Sequence, residues 1–233
     1  MECNIITADK ANRLYWLGRY TERIYLSLHL LRRYYDKVID GDINDLKEYY
    51  ECLSLEYSDE DLNNERVQLS QLYDPENVCS IISSINYASD NAIMLRRDIT
   101  SESLSYIQMS QVIIDECAAI NEQNISKLQP ITDYMLAFFG SIDERVFDTT
   151  IRRYIKVGKL IENLVLHVRF NYTYQRIAEA FELLKEYIKQ DAAMYDHVVM
   201  QRLNDLITEK NYTVQADNYK ITLLRNLNCL IWV

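Results

Sequence analysis

Apolar residues recur at three- and four-residue spacing through most of this chain, which is the period of an amphipathic helix and not the alternation of a strand. The pattern is most extended between Asn12 and Leu31. At about 100° per residue, Leu14, Leu17, Thr21, Ile24, Leu28 and Leu31 form one seam, and Tyr15, Gly18, Glu22, Tyr25 and Leu26 form a second strip beside it. Only Arg19, Arg23 and Ser27 mark a polar edge. A helix apolar nearly all round is a central, buried one, which places Glu22 where carboxylates seldom sit without a partner. Gly18 inside that helix costs about 1 kcal/mol relative to Ala, so a neighbouring helix is expected to approach closely there.

The remaining elements follow from caps and breakers. Thr7 can cap a first helix running to about Val38, with Gly41 at or after its end, and Asp42 a second through Leu53. Glu56 to Glu65 is the most polar run and reads as a solvated loop or a short helix. Asp74-Pro75 signals a helix start, and the spacing of Val78, Ile81, Ile85, Ala88, Ala92 and Leu95 predicts a helix to Arg97. Thr100 recaps the next helix, to about Asn121. A helix over Asn124 to Phe138 carries Pro130 near its start, Phe139-Gly140-Ser141 reads as a turn, and a long helix follows from Asp143 to Phe170. Three helices are expected after it, over Tyr174 to Lys189, Met194 to Glu209, and onward from about Ala216. The apolar end, Leu230-Ile231-Trp232-Val233, should dock on the body or meet a partner.

The Gly18 pattern returns in Arg152 to Tyr172. Aligning Gly158 with Gly18 gives an offset of 140 residues (158 − 18), and Glu162 then falls on Glu22, Leu166 on Leu26, Arg153 on Arg13 and Lys159 on Arg19. Both copies read Gly-x-x-x-Glu-x-x-x-Leu. Asn163 replaces Arg23, so the second copy keeps the glutamate and loses the arginine after it. This is the sign of a degenerate internal duplication.

Tyr15-Trp16-Leu17-Gly18-Arg19-Tyr20-Thr21-Glu22-Arg23 resembles the signature of the alpha-E family, an all-helical domain named for its Glu-Arg motif and often tandemly duplicated. Asn91 to Thr100, which contains Arg96, is similar to the family's central Asn-Ala-x-x-x-Arg segment, and Arg153 to Asn163 to its second copy. The chain departs from the family pattern at Asn163. The resemblance implies a place beside circularly permuted ATP-grasp proteins and transglutaminase-like proteins, in a peptide synthesis or modification system.

Composition narrows the function classes. Four Gly and two Pro leave little material for hairpins. With 35 acidic and 25 basic side chains the net charge is −10 and no basic tract interrupts it, which argues against a general nucleic-acid binder. No run approaches the length of a membrane span, and the first residues lack the charge and apolar core of a signal peptide, so the expected compartment is the cytoplasm. Cys3, Cys52, Cys79, Cys117 and Cys229 are odd in number and widely spaced, which suits reduced thiols rather than a disulfide frame or zinc site.

Glu22 and Glu162 are the one constellation with chemistry to weigh. In a packing role, each glutamate sits beside a glycine that admits another helix and accepts hydrogen bonds across the crossing, with Arg13, Arg19, Arg153 and Lys159 available. In a functional role, the two carboxylates face one cleft, bind a cationic or amine group of a peptide, and gain from burial a raised pKa suited to proton transfer. Arg19 and Arg23, four apart, form a solvated edge or an internal salt bridge, or else dock an acidic partner surface. Arg32-Arg33, Arg96-Arg97 and Arg152-Arg153 are charged sides of helices unless they converge on an anion. A di-iron site needs Glu-x-x-His, but Tyr25 and Val165 occupy the histidine positions, and His29, His167 and His197 have no ligand-spaced partners.

The reading is an all-α, multi-helix bundle of about eight to ten helices in a single domain over 1–233, with pseudo-repeat halves at 7–125 and 126–233, centred on two Gly-x-x-x-Glu helices. Its binding candidates are Gly18, Arg19, Glu22, Arg23, Arg96, Arg153, Gly158, Lys159 and Glu162. The resemblance makes it a non-catalytic accessory subunit with an ATP-grasp or transglutaminase-like protein as partner, and with no cofactor, metal, nucleic acid or membrane. The alternative is an enzyme or small-ligand binder with Glu22 and Glu162 in a shared pocket; self-association as a homo-oligomer is a third arrangement.

Overall fold

In the computed structural model, residues 6–39, 44–53, 65–215 and 217–232 are described. Among them are eleven α-helices and no strand beyond one isolated bridge: α1 (Ala8–Ile39), α2 (Asn44–Leu53), α3 (Glu65–Tyr73), α4 (Ile81–Met94), α5 (Ser101–Ala119), α6 (Gln129–Arg145), α7 (Thr149–Arg169), α8 (Tyr174–Ile188), α9 (His197–Leu206), α10 (Glu209–Val214) and α11 (Tyr219–Cys229). The expected all-α class is what the chain adopts. Gly41, Asp42, most of the Glu56 to Glu65 run, Cys3, Ala216 and Val233 lie outside the described residues.

Several boundaries obey the expected local chemistry. The Lys10 N–H donates to Thr7 Oγ1 at 3.3 Å to open α1, and the Ser103 N–H donates to Thr100 Oγ1 at 3.2 Å to open α5. α5 and α7 both end on an asparagine in the left-handed region, Asn121 at φ 49° and Asn171 at φ 51°. After each, an N–H reaches back five residues, Glu122 to the Cys117 carbonyl (2.9 Å) and Tyr172 to the His167 carbonyl (3.0 Å). Asparagine here takes the role that glycine usually fills at this cap.

Other boundaries move. α4 begins at Ile81 and not at Pro75, because Asp74 and Asn77 spend their side chains on Asx turns, accepting from the Glu76 N–H (2.9 Å) and the Cys79 N–H (3.0 Å). Ser80 then supplies the cap, accepting from the Ser83 N–H at 3.1 Å, and the helix stops at Met94 rather than Arg97. The turn expected at Gly140 is absent. α6 runs through it, since Met135, Phe138, Phe139 and Ile142 continue one buried seam. The break falls at Val146 to Asp148, where Asp148 Oδ1 accepts from the Thr150 N–H (2.8 Å) and the Ile151 N–H (3.3 Å). A short 3₁₀ turn, Ile125–Leu128, precedes α6. The helix expected over Met194 to Glu209 is the shorter α9, His197–Leu206, and Thr208 then caps a separate α10 through the Asn211 N–H. α3 had no forecast of its own.

The chain forms two compact units, residues 20–152 and residues 1–19 with 153–233. They divide it elsewhere than the pseudo-repeat halves 7–125 and 126–233, which concern sequence similarity and not compactness. In the first unit α4, α5 and α6 pack in succession around Ile85, Ile107, Ile114, Met135 and Phe138, all fully buried. Tyr73 ties α3 to this group by donating to the Glu122 carbonyl at 2.8 Å. In the second unit α9 packs on α11 through Leu203, Leu223 and Leu227. Its last residues lie beside the α8–α9 connection as a strand-like pair: Asp196 N–H donates to the Leu230 carbonyl and Trp232 N–H to the Met194 carbonyl, both at 2.8 Å. Leu230 and Ile231 are buried, so the apolar end docks as expected, while Trp232 stays exposed.

Candidate functional site

The second unit brings the beginning of α1 against α7 at the two repeated glycines. A Cβ added to Gly18 would stand 2.0 Å from the Ile155 carbonyl oxygen, and one added to Gly158 would stand 2.0 Å from the Tyr15 carbonyl oxygen. The contact is reciprocal. Ile155 and Tyr15 differ by 140 residues (155 − 15), the same offset as the glycines, so the crossing has a local two-fold relation. Backbone touches backbone here, and no other residue type fits without moving a helix.

One residue beyond Gly18, Arg19 reaches across that crossing. Its Nε donates to Glu162 Oε2 at 2.7 Å and its Nη2 lies 2.6 Å from the same oxygen. Nη2 also donates to Asn228 Oδ1 on α11 at 2.9 Å, and Nη1 to the Tyr15 hydroxyl at 3.4 Å. The guanidinium lies 4.9 Å from the centre of the Trp16 ring, a favourable cation–π placement. Arg19 is 4% exposed and Glu162 2%. Arg19, assigned by periodicity to a polar edge, is therefore interior: the glycine admits α7, and α7 brings the carboxylate that neutralises it. Two charges removed from water persist only when their hydrogen-bonding capacity is met, and each donor nitrogen of Arg19 has an acceptor.

The other candidates are placed less centrally. Lys159 is half-buried on α7, and Arg153 donates to Gln190 Oε1 at 3.0 Å. Glu22, Arg23 and Arg96 belong to the other unit. Glu22 is buried at 2% exposure, Arg23 lies over the Tyr20 ring at 5.5 Å, and Arg96 is exposed in the turn after α4. Of the Arg-Arg pairs, Arg32 donates to Gln129 Oε1 on α6, and Arg152 to the Asp143 carbonyl at 3.2 Å. Tyr15, Trp16 and Asn228 join the site without having been singled out. Tyr15 and Trp16 precede Arg19 by one helical turn, a signal the sequence does carry; Asn228 lies 209 residues away and carries none.

A family model described as "a predicted alpha-helical domain with a conserved ER motif", Alpha-E, matches residues 8–201. The chain belongs to the Alpha-E family. The earlier resemblance places the family's Glu-Arg motif at Glu22-Arg23. The Alpha-E match includes both glycines, Arg19 and Glu162, whereas Asn228 lies past its end. No curated protein and no solved structure matches the chain.

Among the described residues of this Alpha-E chain, no three His, Cys, Asp or Glu side chains converge as a metal-holding group, and no helix is long and apolar enough to cross a membrane. Among the described residues, Cys79, Cys117 and Cys229 form no disulfide. His167 stacks on Tyr172 at 4.4 Å between ring centres. Burial, aided by the Arg176 charge, pushes its imidazole down to about 4, so it is neutral at physiological pH.

Proposed function

We propose that this Alpha-E chain is a non-catalytic accessory or interaction subunit of an ATP-grasp-linked peptide synthesis or modification system in the cytoplasm, with an ATP-grasp or transglutaminase-like protein as its partner. The partner class rests on the family resemblance. The non-catalytic part rests on one observation: Glu162 Oε2 is held by both Nε and Nη2 of a buried Arg19. That oxygen is occupied by two donors of a fixed cation and is not open to a substrate. The work of Glu162 is to hold α1 against α7. The alternative reading, an enzyme or ligand binder with Glu22 and Glu162 in a shared pocket, requires Glu162 to leave Arg19.

The test is recovery of partners from lysate of the source cells on the tagged full-length chain, with mass spectrometry of what is retained. An ATP-grasp or transglutaminase-like protein recovered in near-equal amount is the expected result. Bait returning alone, or only with further copies of itself, overturns the accessory-subunit reading.

A further inference from the structure

A cavity of about 420 Å³ opens between the first turns of α5 and the last turns of α6, lined by Glu102, Tyr106, Gly140, Ser141, Glu144 and Arg145. That volume is in the range of small-ligand sites, and every lining residue belongs to one compact unit. Gly140 is the unusual member. It lies inside α6, where glycine weakens a helix, yet a Cβ added to it would meet nothing within 4 Å. Gly18 and Gly158 are required by backbone contact; Gly140 is not. What its missing side chain does is leave the cavity floor open.

The floor is preorganised. Ser141 Oγ lies 2.9 Å from Ser103 Oγ and 3.3 Å from Thr100 Oγ1, and those two hydroxyls are 3.0 Å apart, which locks the start of α5 to the end of α6. The charges around it are two carboxylates and one guanidinium. Glu102's own backbone N–H and the Thr100 hydroxyl, with help from Arg145, hold its carboxyl below the usual range, so it is ionised at neutral pH. Among the described residues neither Glu144 nor Arg145 makes an ion pair. The half-buried Tyr106 supplies an aromatic wall.

Two negative groups and one positive group are complemented by a ligand with two positive groups and one negative. We propose that this cavity binds a free basic α-amino acid, lysine or arginine, with Arg145 pairing its carboxylate and Glu102 and Glu144 its two cationic groups. Arginine's guanidinium forms paired hydrogen bonds with a carboxylate, and Tyr106 offers a ring face to a cation.

Isothermal titration of the full-length protein with lysine, arginine, alanine and 1,4-diaminobutane tests this. Lysine or arginine should bind saturably, with alanine and the diamine weaker by about tenfold or more. Gly140→Leu should fill the cavity and weaken binding about tenfold while the thermal midpoint holds, since the side chain enters open space and improves helix propensity. Glu144→Gln and Arg145→Gln should each weaken binding at least about fivefold. Absence of saturable binding up to about 10 mM lysine or arginine, wild-type affinity in Gly140→Leu or in both charge variants, or equal binding of the diamine would overturn the assignment.

Discussion

Alanine at Gly158 tests the crossing most directly, because the structure supplies the size of the clash. The added Cβ would stand 2.0 Å from the Tyr15 carbonyl oxygen, and real Cβ contacts essentially never fall below 3.0 Å. The neighbour is backbone and cannot rotate away, so α1 and α7 must part by at least about 1 Å (3.0 − 2.0). That displacement would stretch the 2.7 Å bond from Arg19 Nε to Glu162 Oε2 toward about 3.7 Å, beyond hydrogen-bonding range. Overpacking of this kind costs about 1–3 kcal/mol, and loosening a buried ion pair adds a share of the about 3–5 kcal/mol lost when such a pair is broken. Against this, Ala is about 1 kcal/mol better than Gly inside a helix. The net expectation is a loss of about 3 kcal/mol, with Gly18→Ala behaving alike. Gly140→Ala is the internal control: with open space around it, the propensity gain stands alone and stability should rise by about 0.5–1 kcal/mol. Urea unfolding followed by far-UV circular dichroism reads all three. If Gly158→Ala moves the midpoint in the same direction as Gly140→Ala, the close approach does not govern this crossing and the reasoning fails.

Three further outcomes are expected. Glu162→Gln strands the Arg19 charge in a buried site and should cost about 3–5 kcal/mol, with the double variant Arg19→Met, Glu162→Leu recovering part of it; an unchanged urea midpoint in the single variant would sink the packing role. His167 is held neutral in the fold, with a pKa of about 4 against 6.5 for the free group, so the unfolded chain takes up the extra proton between those values. Stability should fall as pH drops from about 6.5 to 4 and level off below. The effect is on the order of 1–2 kcal/mol once partial exposure is discounted, and a shallower pH profile in His167→Phe checks it. Asp148→Ala removes the cap that opens α7 and should cost about 1 kcal/mol, measured by thermal unfolding, with no change if the α6–α7 break is set by packing alone.

The sequence by itself determined the helical class, the course of α1, and the caps at Thr7 and Thr100, because periodicity and capping are decided within about one helical turn. It also placed Gly18 and Gly158 at the same position of one Gly-x-x-x-Glu-x-x-x-Leu pattern, 140 residues apart. Where several local signals competed, only tertiary structure decided. Asp74-Pro75 read as a helix start, but Asx turns occupy Asp74 and Asn77 and Ser80 takes the cap instead. Gly140, read as a turn, and Gly158, read as a helix contact, both lie inside helices; one faces open space and the other a carbonyl 2.0 Å from where its Cβ would be. Arg19 falls on the polar side of its own helix, and it is buried because α7 contributes Glu162 and α11 contributes Asn228. Those partners come from helices 143 and 209 residues away. A side chain's own neighbours in sequence fix which way it faces on its helix, but what it meets there, and so whether a charge is solvated or paired, is decided by whichever distant helix packs against that face.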